Sequence, residues 1–222
     1  MAKIITTLDH AVDYINSLYE ADSTAPTSGD EDYTVWTALI NISINIWESE
    51  EGVLWNELFI KLADAPDGDT TITASTWSYD CPSLFKFHAC GYVRVGTGTN
   101  KTYYKVIKPQ DKQLYDNNSD NWCYFLNGSL EFNPNCTLTT GATINYEYYA
   151  SATKMTTSTD EFQMSDPMFA VFYVLSVLKQ EEGDPQPANI ASQKLESMKT
   201  LNEMPSWFQS EPPTDTEGGF GV

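Results

Sequence analysis

Residues 121–150, NWCYFLNGSLEFNPNCTLTTGATINYEYYA, decide how this chain is read. The stretch reads as apolar and polar residues in alternation around a wholly apolar run, Trp122 to Leu126. The pattern breaks at LNGS, resumes through Leu130 and Phe132, and after TGAT sets Ile144, Tyr146 and Tyr148 on one face against Asn145 and Glu147 on the other. A period of two with Asn-Gly between two runs is the signature of a hairpin, here followed by a further strand. A Pro-started helical pattern follows soon after, so the strands end in a helix and the stretch reads as scaffold.

Working outward, the neighbours of this stretch keep its character. TTITASTWSY, LFKFHACGYVRV and KTYYKVIK are also rich in β-branched and aromatic residues, and clusters of Gly, Asn, Asp and Pro separate them. Six such segments predict a small antiparallel barrel or sandwich over residues 70–154. The flanks change period. Leu8, Val12, Ile15 and Tyr19 fall on one helical face behind Thr6 or Thr7 as cap. A second helix is expected from about Thr34 to Ser49, and a third starts over EEGVLWNELFIKL, carrying Leu54, Leu58 and Leu62. Beyond the β region, Ser165 or Asp166 caps MFAVFYVLSVLKQEEG with Pro167 at its first turn, and ANIASQKLESMKTLNEM makes a last amphipathic helix.

The expected organisation is therefore α+β: N-terminal helices (1–69), an antiparallel β domain (70–154), C-terminal helices (155–203) packing on the first part, and an acidic Pro/Gly-rich tail (204–222). FAVFYVLSVL is apolar nearly all round and must be covered, which predicts a helical bundle of both termini with the β-barrel or sandwich inserted.

Charge separates the same zones. The chain of 222 residues carries 12 Lys and Arg against 31 Asp and Glu, a net of −19, and Arg94 is its one arginine. Residues 1–69 hold 2 cations and 14 acids, residues 70–154 hold 7 and 6, and residues 155–222 hold 3 and 11. Such a chain does not grip phosphates or an anionic bilayer by clustered basic residues. No secretory leader and no apolar run of membrane-spanning length is read in it. The five N-x-S/T sites, at Asn41, Asn100, Asn117, Asn127 and Asn135, read as polar loops.

Catalytic patterns are absent. His10 and His88 are the only histidines, there is no G-x-S-x-G elbow and no phosphate loop, and GYVRVGTGT lies between strands. No enzyme and no cofactor is expected. Cys81, His88 and Cys90, with Cys123 or Cys136, offer four zinc ligands or two bridges. Cys123 alternates with strand aromatics as a small buried hydrophobe does, and that reading is preferred. Asp64, Asp67 and Asp69, and Asp116, Asn118 and Asp120, suggest calcium loops. In the second, Asn121 stands where the loop glycine belongs and Asn127 where the bidentate glutamate belongs, so solvated turns are expected. Trp36, Trp47 and Trp55 recur at helical spacing and are assigned to the core, and the strand tyrosines to barrel packing.

Three stretches together resemble the head-to-tail connector (neck or adaptor) proteins of tailed bacteriophages, in particular the ring-forming tubular tail protein of short-tailed phages. TTLDHAVDYINSLY resembles their opening helix. ALINISINIWESEEGVLWNEL resembles their second helix, with its acidic turn and W-x-x-L. ATINYEYYASATKMTTSTDEFQMSDPMFAVFYVLSVL resembles their last strand, linker and Pro-initiated helix, although its Thr/Ser-rich linker is long. The resemblance covers most of residues 1–203 and rests on patterns of residue type. It implies a non-enzymatic virion component that forms a homo-oligomeric ring. The ring would dock between portal protein and other tail or neck proteins and pass genomic DNA through an acidic channel without specific binding. Tyr149, Trp207 and Phe208 are the expected interface residues. The competing class is a β-sandwich recognition module that binds a glycan or a host receptor.

Overall fold

The computed structural model describes residues 5–20, 24–115 and 119–202. The fold is mixed α+β. Among the described residues it has four α-helices, α1 (Leu8–Tyr19), α2 (Glu31–Glu48), α3 (Met168–Leu178) and α4 (Gln186–Asn202), and nine strands, β1 (Phe59–Lys61), β2 (Ser78–Asp80), β3 (Phe85–His88), β4 (Tyr92–Thr97), β5 (Asn100–Val106), β6 (Trp122–Leu126), β7 (Ser129–Phe132), β8 (Ile144–Asn145) and β9 (Glu147–Ala150).

α1 and α3 start at the caps expected, while α2 begins at Glu31, three residues before the expected Thr34. Thr7 caps α1, its hydroxyl accepting from the His10 amide at 3.4 Å, and Leu8, Val12 and Ile15 are buried. The Asp166 carboxylate accepts from the Met168 amide at 3.1 Å at the start of α3, one residue after Pro167 enters the helical region. Apolar on every side, α3 packs against α1, α2 and α4. Trp36, Ile40, Trp47, Phe169, Val171 and Val174 join in one core there. Within it Trp55 folds back on the end of α2, its indole N–H donating to the Trp47 carbonyl at 2.6 Å with the rings 5.1 Å apart.

The third helix expected over residues 50–62 does not form. Gly52 turns the chain (φ 77°), and two single 3-10 turns, Asn56–Leu58 and Leu62–Asp64, bracket β1. Leu58 and Leu62 are buried and Leu54 is exposed, and a buried pair four apart serves a turn–strand–turn as well as a helix.

Of the barrel or sandwich expected, the structure has two sheets, one of them curled into a half-barrel. The larger, a curled half-barrel, has the order β2-β7-β6-β5-β4-β8, and the smaller has the order β1-β9-β3. Two expected single strands are each divided between them. LFKFHACGYVRV becomes β3 and β4, and ATINYEYYAS becomes β8 and β9, with the change of sheet at Tyr146. The pairing is also not wholly antiparallel, because β5 and β6 run parallel, with Lys105 opposite Trp122. A connection holding a 3-10 helix (Pro109–Leu114) carries the chain between them. The hairpin itself forms as read. Asn127 (φ 51°) and Gly128 (φ 79°) are both left-handed, as a type I′ turn requires, and Leu126 faces Ser129 across it.

β9 separates two cores. Tyr148 and Ala150 point into the β core with Val93, Tyr104, Leu130 and Phe132, while Tyr149 points the other way, into the helical core. A further tie crosses the same boundary: Lys86 of β3 pairs with Glu48 of α2 at 2.9 Å. On the helical side, the Asn41 amide holds the Met155 backbone at both its amide and its carbonyl, at 2.8 and 2.9 Å. Asn41 therefore lies on a helix and not, as its sequence context suggested, in a loop. No described helix is long and apolar enough to cross a membrane.

Candidate functional site

Most residues singled out for chemistry have structural roles. The Asp67 carboxylate accepts from the Ser83 amide at 3.0 and 3.2 Å, and that of Asp69 accepts from the Asp80 amide at 2.8 Å, so this loop is a clasp onto the β2–β3 connection. Asp116 and Asn118 lie outside the described residues. The His88 ring stacks on Phe125 (5.0 Å between centroids) with Nδ1 2.8 Å from the Cys90 carbonyl, and His10 sits 3.1 Å from the Thr6 hydroxyl. The four cysteines are free thiols. Burial pushes the Cys81 and Cys123 thiols above the ordinary range, Cys123 most strongly, which keeps them protonated and poor nucleophiles. Among the described residues, no three His, Cys, Asp or Glu side chains converge on a metal-sized site.

Of the expected interface residues, Trp207 and Phe208 lie outside the described residues. Tyr149 is buried within the chain, between Phe59 of β1 at 5.5 Å and Phe87 of β3 at 5.2 Å. Its two ring partners are the solvent-facing members of the trio, both at the edge of exposure.

Two surfaces stand out instead. The first is the outer face of α2. From Tyr33 to Trp47 this helix carries no charged residue, within a chain of net charge −19. Tyr33, Trp36, Ile40, Ile44 and Trp47 turn inward, which leaves Val35, Ala38, Ile42 and Asn45 exposed along one stripe, with Val35 at 44% and Ile42 at 45% of full exposure. The charge-free run was legible in the sequence. That it has an uncovered side was not, because period 3.6 says which residues share a face and not what covers it.

The second is a groove of about 350 Å³ between the two sheets. Register places Arg94 of β4 beside both Tyr103 of β5 and Asn145 of β8, and Tyr92 beside Lys105. Lys61 at the end of β1 faces them, and Glu147 is the acid at its rim. Tyr92 and Tyr103 are half exposed, so these two tyrosines do not pack a barrel interior as sequence alternation suggested. Lys101 continues the same face, 5.6 Å above the Tyr103 ring. The described carboxylates pair with Lys86, Lys194 and Lys199, and none comes within ion-pair distance of Lys61, Arg94, Lys101 or Lys105.

The chain matches no protein-family model and no curated protein. These two surfaces and the distribution of charge are what bear on its function.

Proposed function

We propose that this chain is a ring-forming structural protein of a phage virion, a connector between portal and tail. In this reading the N- and C-terminal helices act as one bundle with the β part inserted. The observation that carries it is the exposed, charge-free face of α2. In a chain this acidic, a helix side with Val35 and Ile42 outward and no charge over four turns has the composition of a buried interface centre, where charged residues are depleted. A neighbouring copy would cover it, and repetition of one such contact around an axis closes a ring. The acidity of residues 1–69 and 155–222 supports a channel lining that repels the DNA backbone and lets it slide.

Native mass spectrometry and negative-stain imaging, alone and with the portal protein, test it. Closed rings are expected, and Ile42→Lys is expected to abolish them while leaving the circular dichroism spectrum unchanged. A chain that stays monomeric under every condition, portal included, overturns the reading.

One observation favours the recognition-module alternative: Tyr92 and Tyr103 stand exposed on either side of Arg94, a pairing of flat rings and donors that suits a sugar. Saturable binding on a glycan array, lost in Tyr103→Ala, would support it.

A further inference from the structure

We propose that the groove between the sheets is the docking site for the chain's own acidic segment, residues 203–222. Four cations meet there or beside it, Lys61, Arg94, Lys101 and Lys105; Glu147 stands opposite Lys61 in the β1–β9 register, but none of the four has a described carboxylate within ion-pair distance although the chain has 31 acids. The occupant that suits this face carries carboxylates for the guanidinium fork and aromatic rings for the exposed tyrosines. Residues 203–222, EMPSWFQSEPPTDTEGGFGV, contain Glu203, Glu211, Asp215 and Glu217, no cation, and the rings of Trp207, Phe208 and Phe220.

Position agrees with composition. The last described residue, Asn202, is anchored at the end of α4. Its side-chain carbonyl accepts from the Asn56 amide at 2.9 Å, and its amide donates to the Met198 carbonyl at 3.0 Å. Lys61 lies five residues beyond Asn56 in the chain, so the anchor is no more than ~18 Å from the groove rim. Twenty residues of extended chain reach up to ~66 Å, so Glu211, Asp215 and Glu217 all fall within range of the groove of the same molecule. A tether of this length holds the segment at a local concentration on the order of millimolar, enough for a charged, moderately weak contact to be occupied. The docking is independent of ring formation.

Zero-length carbodiimide cross-linking of the full chain, prepared as an equal mixture of unlabelled and ¹⁵N-labelled protein, tests the proposal. Peptides joining Lys61, Lys101 or Lys105 to Glu211, Asp215 or Glu217 are expected, with both halves of one isotope. Arg94→Glu, which removes no cross-linkable lysine, is expected to reduce their yield at least fivefold. A second readout does not depend on that chemistry: the Arg94 side-chain N–H resonance is expected to shift when Glu211, Asp215 and Glu217 are all changed to their amides. A Lys61–Glu147 link is expected from the fold itself; links from these lysines only to acids outside 203–222, links to 203–222 of mixed isotope, or no links to 203–222 together with an unmoved Arg94 resonance overturn it.

Discussion

Asp160 shows how a single side chain organises the stretch that sequence reading treated only as a linker. Its carboxylate accepts from the Thr157 hydroxyl at 2.5 Å and from the backbone amides of Thr156 and Thr157 at 2.6 and 2.9 Å. The turn so formed is hydrogen-bonded to the start of α1, where the Leu8 amide donates to the Asp160 carbonyl at 3.0 Å and Phe162 donates to the Thr6 carbonyl at 3.0 Å. The Thr157 hydroxyl, followed by the two amides, holds the Asp160 carboxyl well below the usual carboxylate range. A depressed folded value means that its stabilisation is complete above the unfolded value of about 3.9 and is lost as pH falls through the lower folded one. NMR titration is expected to find the Asp160 midpoint below that of an unperturbed aspartate, and Asp160→Asn to remove this part of the acid-unfolding limb. Tyr33 runs in the opposite sense. Burial, together with its hydrogen bond to Asp9 at 3.0 Å, pushes its phenol up to about 12, so that contribution is full below pH 10 and lost as pH rises through 12. At Asn41, substitution by alanine strands the Met155 amide and carbonyl, and a loss of roughly 1–3 kcal/mol is expected in chemical denaturation.

At the scale of elements, the turns are the most constrained positions. Gly96 has φ 98°, and a β-carbon there would run into the Asn100 carbonyl oxygen of the adjoining strand. Gly96→Ala is expected to displace the β4–β5 pair and with it Arg94 and Tyr103. Gly128→Ala, open around its β-carbon but left-handed, is expected to cost only about 1 kcal/mol in thermal or chemical unfolding. Comparing the two variants separates steric blockage from backbone preference. The short segment after α2 is the instructive miss. Leu54, Leu58 and Leu62 keep a helical spacing, yet Gly52 and the fold-back of Trp55 onto Trp47 place β1 there. Trp55→Phe replaces the buried indole by a smaller ring and removes the donor to the Trp47 carbonyl, and is expected to cost roughly 2–4 kcal/mol in chemical denaturation.

At the scale of the whole molecule, the acidic helices and the near-neutral β part meet at β9. If the helical acids line a channel, changing several to lysine is expected to slow DNA release from a reconstituted particle, measured as ejection rate; an unchanged rate counts against that lining. Much of this organisation was written in the chain. The helix starts (Thr6 or Thr7, and Ser165 or Asp166, with the structure using the second of each), the Asn127-Gly128 turn, the buried tryptophans and the charge zones depend on residues near in sequence or on composition, so local periodicity and turn chemistry set them. What lay beyond it were relations between distant strands. Period two does not distinguish a parallel neighbour from an antiparallel one, so the β5–β6 pairing was hidden, as was the change of sheet at Tyr146. The groove followed the same rule. Arg94 was visible as the one arginine, but only the register of β4 with β5 and β8, and the approach of β1, gathers it with Tyr103, Asn145 and Lys61, because side chains far apart in sequence become neighbours only when backbone pairing closes the loops between them.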